Sequence, residues 1–306
     1  MTDPRITSVL TGASPGCIVC GDSLMVMKAM ATGSVGLVFG SPPYEDSRLY
    51  GELNFRLKGE AWVSWMVEIV QASLRVSKGL VAFVVEGQTR KFRWSATPVL
   101  LMADLHRAGV HLRKPPAFER IGIPGSGGPD WWRNDYEFIV CATNGGRLLW
   151  ADNTATGTGC AYPVGGAMSN RHQDGRRRNH ETVADRRKGK RRTSSTRRDR
   201  NGDRDTRDYV APDVANPGNI IHCKVGGGRM GSKLAHENEA PFPEALVEHF
   251  VRCFCPPGGI VLDPFSGSGT TAAVAKQWGR RYIGIDIRQS QIELAEKRIH
   301  GPLFAK

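Results

Sequence analysis

The chain has 306 residues, of which 40% are hydrophobic and 24% charged, so it is long enough for one large domain or two with a sizeable core. No run of 18 apolar residues exists and the N-terminus has no basic start, which argues against a membrane helix or a signal peptide and predicts a cytoplasmic protein. The net charge of +12 favours a polyanionic partner, nucleic acid before membrane.

Strand-like and helix-like segments alternate along most of the chain. Short apolar runs rich in β-branched residues predict strands at 17–22, 35–40, 79–85, 136–142, 258–263 and 281–286. Apolar residues at helical spacing predict helices at 60–76, 243–255, 270–279 and 289–299. Strands that alternate with helices indicate an α/β fold, with a mostly parallel sheet and helices on both faces.

This regular pattern breaks between about residues 145 and 235, where Gly, Asn, Thr, Asp and Arg dominate. The centre of the stretch, residues 171–208, holds 15 Lys and Arg against 7 Asp and Glu. A segment with so few apolar residues cannot build a core, so we predict a basic, disordered arm there.

The cysteine pattern does not predict a metal site. Cys17 and Cys20 could be combined with Cys253 and Cys255, but the two spacings do not repeat a zinc motif. The count is odd and most of the residues have apolar neighbours, so we expect buried thiols. The seven cysteines are Cys17, Cys20, Cys141, Cys160, Cys223, Cys253 and Cys255.

A glycine-rich turn joins a predicted strand to a predicted helix in the segment VLDPFSGSGTTAAVA, residues 261–275. Gly267 and Gly269 allow a tight turn and close approach of a ligand to the backbone. Asp286 ends the next strand, 17 residues after Gly269, where an acid can accept hydrogen bonds from both ribose hydroxyls of a nucleoside. A tight turn without a ligand is the alternative.

The position of this turn in the chain indicates a circular permutation. Only 37 residues follow Gly269, too few to build a sheet. The remaining strands must therefore come from the N-terminal half, whereas a nicotinamide-dependent dehydrogenase normally begins with such a unit.

A second motif, Ser41-Pro42-Pro43-Tyr44, follows the predicted strand 35–40. Two prolines end a strand and stiffen the turn after it. Together with DPFSGSGTT in this order, the motif resembles the permuted β class of S-adenosylmethionine-dependent DNA amino-methyltransferases. Further segments that resemble this family are 20–44, 74–85, 134–142 and 236–251.

The resemblance implies a circularly permuted, Rossmann-like methyltransferase fold with an irregular target-recognition insertion. It divides the chain into a catalytic half (1–145), a variable target-recognition region with the basic arm (146–235) and a cofactor-binding half (236–306). It also implies S-adenosylmethionine as cofactor and double-stranded DNA as partner. A companion restriction endonuclease, and a monomer or a homodimer, are left open.

The resemblance also assigns roles on the side of the base. An exocyclic amine is a poor nucleophile because its lone pair is delocalised into the ring, so fixed acceptors must localise that lone pair. Ser41 Oγ and the Pro42 carbonyl are the expected acceptors, and Pro42 and Pro43 keep them rigid. Tyr44 is expected to stack on the flipped base through its ring, so that Tyr44→Phe would cost little.

On the side of the cofactor, the resemblance places Asp22 at the adenine edge and Asp286 at the ribose. The residues expected around the methionine moiety are Asp263, Phe265, Gly267 and Gly269. The segment HENEAPFP departs from the family's shorter His-Pro link, so His236 is assigned no role.

The reaction is expected at cytosine N4, because serine in the first motif position leans that way in the family, and adenine N6 is the alternative. The sequence also leaves open an RNA methyltransferase, a nicotinamide-dependent oxidoreductase and a non-catalytic nucleic-acid-binding protein. Trp131 and Trp132 could line the base pocket, but we favour packing of at least one in the core.

Overall fold

A computed structural model of the protein describes residues 2–45, 56–122, 127–159, 214–225 and 242–300. The chain divides into two compact units, one of Met1–Thr156 with Gly218–Lys306 and one of Gly157–Pro217. The predicted basic arm, Cys160 and His236 lie outside the described residues.

Seven helices lie within the described residues: α1 (Pro4–Thr11), α2 (Ser23–Ala29), α3 (Gly59–Val76), α4 (Thr97–Arg107), α5 (Glu244–Phe254), α6 (Thr270–Gln277) and α7 (Gln289–His300). All four predicted helices are confirmed, each within two residues at either end. The three that were not predicted are the short α1 and α2 and the longer α4.

The described strands are β1 (Gly16–Cys20), β2 (Val35–Gly40), β3 (Ser77–Val85), β4 (Thr89–Arg90), β5 (Arg93–Trp94), β6 (His111–Leu112), β7 (Ala117–Ile121), β8 (Tyr136–Thr143), β9 (Thr158–Gly159), β10 (Val214–Ala215), β11 (Ile220–Lys224), β12 (Ile260–Asp263) and β13 (Arg281–Asp286). In the second unit, the described residues form only the short antiparallel pair of β9 with β10.

The first unit is organised around a nine-stranded sheet, and all six predicted strands belong to it. Eight of its strands follow the order β1-β13-β12-β2-β3-β8-β7-β11, and β6 pairs with β8. A separate hairpin is formed by β4 and β5.

Strand directions bring distant parts of the chain to one edge of the sheet. The five neighbouring strands β1, β13, β12, β2 and β3 run parallel to one another, so their carboxyl ends lie at the same edge of the sheet. β8 is antiparallel to β3 and β7 antiparallel to β8, so the start of β8 and the end of β7 reach the same edge. The two last strands of the chain, β12 and β13, lie between β1 and β2, as the predicted permutation requires.

The core forms two layers, one on each face of the sheet, which confirms the predicted helices on both faces. Helices α1 to α4 contribute to one layer, for example through Trp62 and Leu101. Helices α5 to α7 contribute to the other, for example through Phe250 and Ile292.

Of the six cysteines in the described residues, five are buried and Cys20 is exposed. Within the described part of the chain, no helix is long and apolar enough to cross a bilayer.

Candidate active site

The Ser-Pro-Pro-Tyr turn starts where β2 ends, and neighbouring elements hold it in place. The Trp62 indole N–H of α3 donates to the Pro43 carbonyl at 2.9 Å. The next acid, Glu45, is buried and accepts from the Gly59 N–H at 2.8 Å and from the Thr97 hydroxyl at 3.3 Å. The turn is therefore fixed by the first turns of α3 and α4, and sequence reasoning missed Glu45.

The two predicted amine acceptors of this turn accept no hydrogen bond from a described residue. No described residue donates to the Pro42 carbonyl, in contrast to the carbonyl of Pro43. The Ser41 hydroxyl acts as a donor, at 3.4 Å from both the Tyr44 hydroxyl and the Val84 carbonyl. Its own lone pairs can therefore accept from an amine.

The Tyr44 hydroxyl is tied to an acid on a distant strand. It donates to Glu137 Oε2 on β8 at 2.7 Å, and Glu137 pairs with Arg120 of β7 at 3.3 Å. Burial and the neighbouring Glu137 carboxylate raise the pKa of Tyr44 well above its usual value, so the hydroxyl stays protonated and remains a donor. The tether was not predicted, because nothing local in the sequence links residues 93 positions apart.

A second acid, Glu86, directly follows β3 at the same edge. Burial raises its pKa to about 7, and the charge of Glu137 adds to the effect. Its Oε1 accepts from the Gly87 N–H at 2.8 Å and from the Trp94 indole at 3.3 Å. Glu86 can therefore hold or release a proton near neutral pH.

The glycine turn has the geometry that its sequence predicts. Gly267 and Gly269 have φ of 48° and 75°, in the left-handed region that favours glycine. A Cβ on Gly269 would lie 2.9 Å from the Ala295 Cβ of α7. Gly269 therefore lets the turn pack against α7 and start α6 at the next residue.

Asp286, at the end of β13, holds this turn. Its Oδ2 accepts from the Gly267 N–H and its Oδ1 from the Arg288 N–H, both at 2.9 Å. The Gly21 N–H donates to the Asp286 carbonyl at 3.0 Å, which ties the end of β1 to the same point. Arg288 Nε also lies 3.7 Å from Oδ1. Oδ2 keeps a second lone pair, so the acid can position the loop and also accept from a ligand.

Asp263, at the end of β12, joins the two halves of the site. Its Oδ1 accepts from the Phe265 N–H at 2.9 Å, and a Cβ on Gly40 of β2 would lie 2.5 Å from that oxygen. The residue is 1% exposed, and its Oδ2 makes no hydrogen bond of ordinary geometry with a described residue. Burial raises the pKa of Asp263 to about 7, although the nearby Thr271 hydroxyl of α6 lowers the pKa of the carboxyl. The strand that leads into the Ser-Pro-Pro-Tyr turn thus abuts the glycine half directly.

Phe265 and Asp22 complete the set of predicted residues. The Phe265 ring lies 5.6 Å from Trp65 and 6.1 Å from Phe83, so it packs against α3 and β3. Asp22 caps α2, since its Oδ1 accepts from the Met25 N–H at 2.9 Å. Ser23, which was not predicted, donates to the Pro264 carbonyl.

The paired tryptophans lie where sequence reasoning did not place them. Trp131 and Trp132 are 38% and 94% exposed, so the expectation that at least one packs in the core is wrong. The segment lies in the loop that precedes β8 and not in a strand, which leaves the side chains outside both core layers. Trp131 instead meets Phe92 edge-on at 5.4 Å between ring centroids.

Five parallel strands with a glycine turn and strand-end acids, beside a rigid turn of hydrogen-bond acceptors, are typical of a nucleoside-binding group-transfer enzyme. Comparison with known proteins gives the family. The model of the DNA methylase family, which covers N6 and N4 methyltransferases, matches residues 35–297, and the chain belongs to this family. The interpretation as a nicotinamide-dependent oxidoreductase is therefore wrong.

Individual relatives match over shorter stretches. The type II methyltransferase M.ScaI of Streptomyces caespitosus is 37% identical over 77 residues, which is 25% of each protein. M.HinfI of Haemophilus influenzae, also a type II methyltransferase, is 48% identical over 67 residues, 22% of this chain and 18% of the relative. The chain thus matches about a quarter or less of the length of these relatives.

Solved structures match over most of the chain at low identity, and they show the fold. The PvuII DNA methyltransferase, which is cytosine-N4-specific, superposes with a TM-score of 0.61 at 16% identity, covering 92% of this chain and 85% of that one. TTHA0409 of Thermus thermophilus, described as a DNA modification methylase, gives 0.58 at 19% identity, covering 95% and 97%. The fold is therefore the Rossmann-like methyltransferase fold.

S-adenosylmethionine is the cofactor that membership of this family implies, and the residues of the site fit it. Asp22, Asp263 and Asp286 end or follow three neighbouring strands, and such carboxylates suit a ligand that carries an ammonium and a sulfonium. The buried Asp263 Oδ2 makes no hydrogen bond of ordinary geometry with a described residue, so a ligand ammonium could donate to it.

Proposed function

We propose that the protein transfers a methyl group from S-adenosylmethionine to the exocyclic N4 of a cytosine flipped out of double-stranded DNA. One observation carries this proposal: Gly40, directly before Ser41, abuts Asp263 of the glycine half. A nucleoside cofactor at the glycine turn and an amine at the Pro42 carbonyl would therefore be neighbours, as direct methyl transfer requires.

On the cofactor side, Asp286 would accept from the ribose hydroxyls while it keeps its two backbone contacts, and Asp263 would face the methionine moiety with Phe265, Gly267 and Gly269. Asp22 would contact the adenine edge. Ile287, which follows Asp286, exposes its apolar side chain and would cover an adenine face. When bound, S-adenosylmethionine supplies an electrophilic methyl group.

On the base side, the Pro42 carbonyl and Ser41 Oγ would accept the two amine hydrogens and so localise the nitrogen lone pair. Both acceptors are fixed before the base arrives, because the turn is held by Trp62 and by Glu45. Little reorganisation is then needed in the transition state. The Tyr44 ring would stack on the base, and Glu86, with its pKa near 7, can take up the proton that the amine loses.

Adenine N6 is the second candidate, because the same two acceptors serve either amine. Base-resolved modification mapping of DNA from cells that express the protein tests both. We expect N4-methylcytosine at a defined sequence, and none in cells that express Ser41→Ala at the same level. N6-methyladenine instead would overturn the choice of base.

Duplex DNA as the partner is tested with the purified protein and labelled S-adenosylmethionine. We expect labelled duplex DNA and no labelled RNA. Label on RNA alone would overturn the substrate, and label on neither would overturn the proposed function. The type II naming of the relatives supports a companion restriction endonuclease, and we propose that the protein is the modifying member of such a pair.

A further inference from the structure

A short hairpin with cationic and aromatic side chains follows Glu86 at the edge of the sheet that holds the site. It consists of residues 89–94, all of them exposed. Arg90, Lys91 and Arg93 supply three cations, and Phe92 at the tip is 71% exposed. Phe92 contacts a second exposed ring, that of Trp131, with centroids 5.4 Å apart, so the exposed apolar surface here is larger than that of one isolated residue.

The hairpin is held in a defined shape. The Ser95 N–H donates to the Gln88 carbonyl at 2.9 Å, and the Gln88 N–H donates to Ser95 Oγ at 3.0 Å. Lys91 and Phe92 form a two-residue turn with φ of 48° and 63°, the geometry of a primed turn. Bulky residues rarely adopt this conformation, so the tip presents Phe92 at a cost in backbone strain.

Contacts at the base of the hairpin connect it to the catalytic turn. The Trp94 ring stacks on Phe138 of β8, with centroids 6.1 Å apart. Its indole N–H donates to Glu86. The residue before Phe138 is Glu137, which binds the Tyr44 hydroxyl. The hairpin is thus anchored to the strand that positions the predicted stacking residue.

We propose that the hairpin 89–94 enters the duplex next to the flipped base, with Lys91 and Arg93 on phosphates and the Phe92 ring stacked on the base pair that flipping exposes. The inference rests on the proposed function. Flipping leaves a gap in the base stack, and apolar wedges such as phenylalanine fill gaps of this kind in distorted DNA. The positive charges of Lys91 and Arg93 complement the phosphates of the duplex. Trp131 meets Phe92 edge-on and so helps to fix the orientation of the ring.

Fluorescence anisotropy of the full chain with a labelled duplex that carries the mapped methylation site, over a series of salt concentrations, separates the two kinds of interaction. Stacking of one base is worth about 1–3 kcal/mol, so Phe92→Asn should weaken binding about fivefold to a hundredfold or more at every salt concentration. The salt slope should not change. Asparagine tolerates the left-handed backbone, which protects the fold, and Phe92→Trp should retain binding.

Removal of the hairpin's cations should instead change how strongly binding depends on salt concentration. Lys91→Asn together with Arg93→Ala should reduce the log–log salt slope by about 0.9 for each phosphate that is no longer neutralised. Two matched controls should leave binding unchanged: Leu149→Ala removes another apolar side chain that is 82% exposed, and Arg107→Ala removes an exposed arginine of α4.

The outcomes distinguish this inference from the proposed function. If the wild-type protein binds and methylates duplex DNA and Phe92→Asn binds equally well, the stacking of Phe92 in the duplex is refuted, whereas the proposed function is not affected. If the variants lose affinity for single-stranded RNA but not for the duplex, the assigned partner is wrong. If the wild-type protein neither binds nor methylates the duplex, the proposed function fails first. Calorimetric binding of S-adenosylmethionine by each variant verifies that its fold is intact.

Discussion

The tether between Tyr44 and Glu137 leads to a prediction opposite to the one from sequence. Stacking needs only the ring, so sequence reasoning expects Tyr44→Phe to cost little. In the structure the hydroxyl donates at 2.7 Å to a largely buried carboxylate. A hydrogen bond to a charged group contributes about 1.5–3 kcal/mol, so its loss should be visible both in stability and in turnover.

The expected effect of Tyr44→Phe is a fall in kcat of roughly 10- to 150-fold, if most of this free energy serves to hold the ring in the transition state. The KM for S-adenosylmethionine should stay unchanged, because the tether contacts the base side of the site. Single-turnover methyl transfer and urea denaturation measure the two effects. Tyr136→Phe is the matched control, since it removes the hydroxyl of an exposed tyrosine that directly precedes Glu137 on β8.

Variants of the partner test the same hydrogen bond from the other side. Glu137→Gln keeps an oxygen that can accept from Tyr44, so it should retain more turnover than Glu137→Ala. Full turnover and unchanged stability in Tyr44→Phe would refute the tether and leave stacking as the only role of the residue. Equal losses in Glu137→Gln and Glu137→Ala would show that the ion pair with Arg120 matters, and not the hydrogen bond.

Three further predictions follow from the remaining charged groups. Asp286→Ala should weaken S-adenosylmethionine binding in calorimetry by about 1–3 kcal/mol, whereas unchanged affinity would remove the residue from the site. Because burial raises the folded pKa of Asp263 from 3.8 to about 7, the unfolded chain loses this proton first, and the free energy of unfolding should fall as pH rises from about 4 to about 7. In denaturant titrations, the free energy of unfolding of Asp263→Asn should change less between these pH values than that of the wild-type protein. The same pH dependence in both proteins would contradict this assignment. Deletion of 176–204 should reduce the salt slope of DNA binding without changing the methylated sequence, and equal slopes would show that the arm does not touch phosphates.

The local sequence pattern was sufficient to predict the elements that form the half of the site with the glycine turn. The strand at 281–286 and the turn at 267–269 were predictable because buried parallel strands and glycine turns have local signatures. Helices α1 and α2 are two turns long, too short for a periodic signal, although Asp3 and Asp22 cap them as N-cap residues do. Helix α4 begins after Ala96, whose left-handed backbone no local rule predicts.

The base half of the site depends on pairings that a single sequence does not encode locally. Glu137 meets Tyr44 only because β8 runs antiparallel to β3, which returns the start of β8 to the edge where β2 ends. Glu45 is likewise defined by Gly59 and Thr97, which belong to different helices. Sequence reasoning therefore identified the residues of the turn but not what holds them.

The circular permutation explains how two motifs near opposite ends of the chain can form one site. The two motifs need only end on adjacent parallel strands, and β12 lies beside β2 whichever of them comes first in sequence. Gly40 shows the consequence, since its missing side chain makes room for the Asp263 carboxylate from the other end of the chain. A side chain at position 40 would collide with the Asp263 carboxylate, so the two could not keep their present positions. Gly40 thus contributes to the geometry of the proposed site together with the two prolines that follow it.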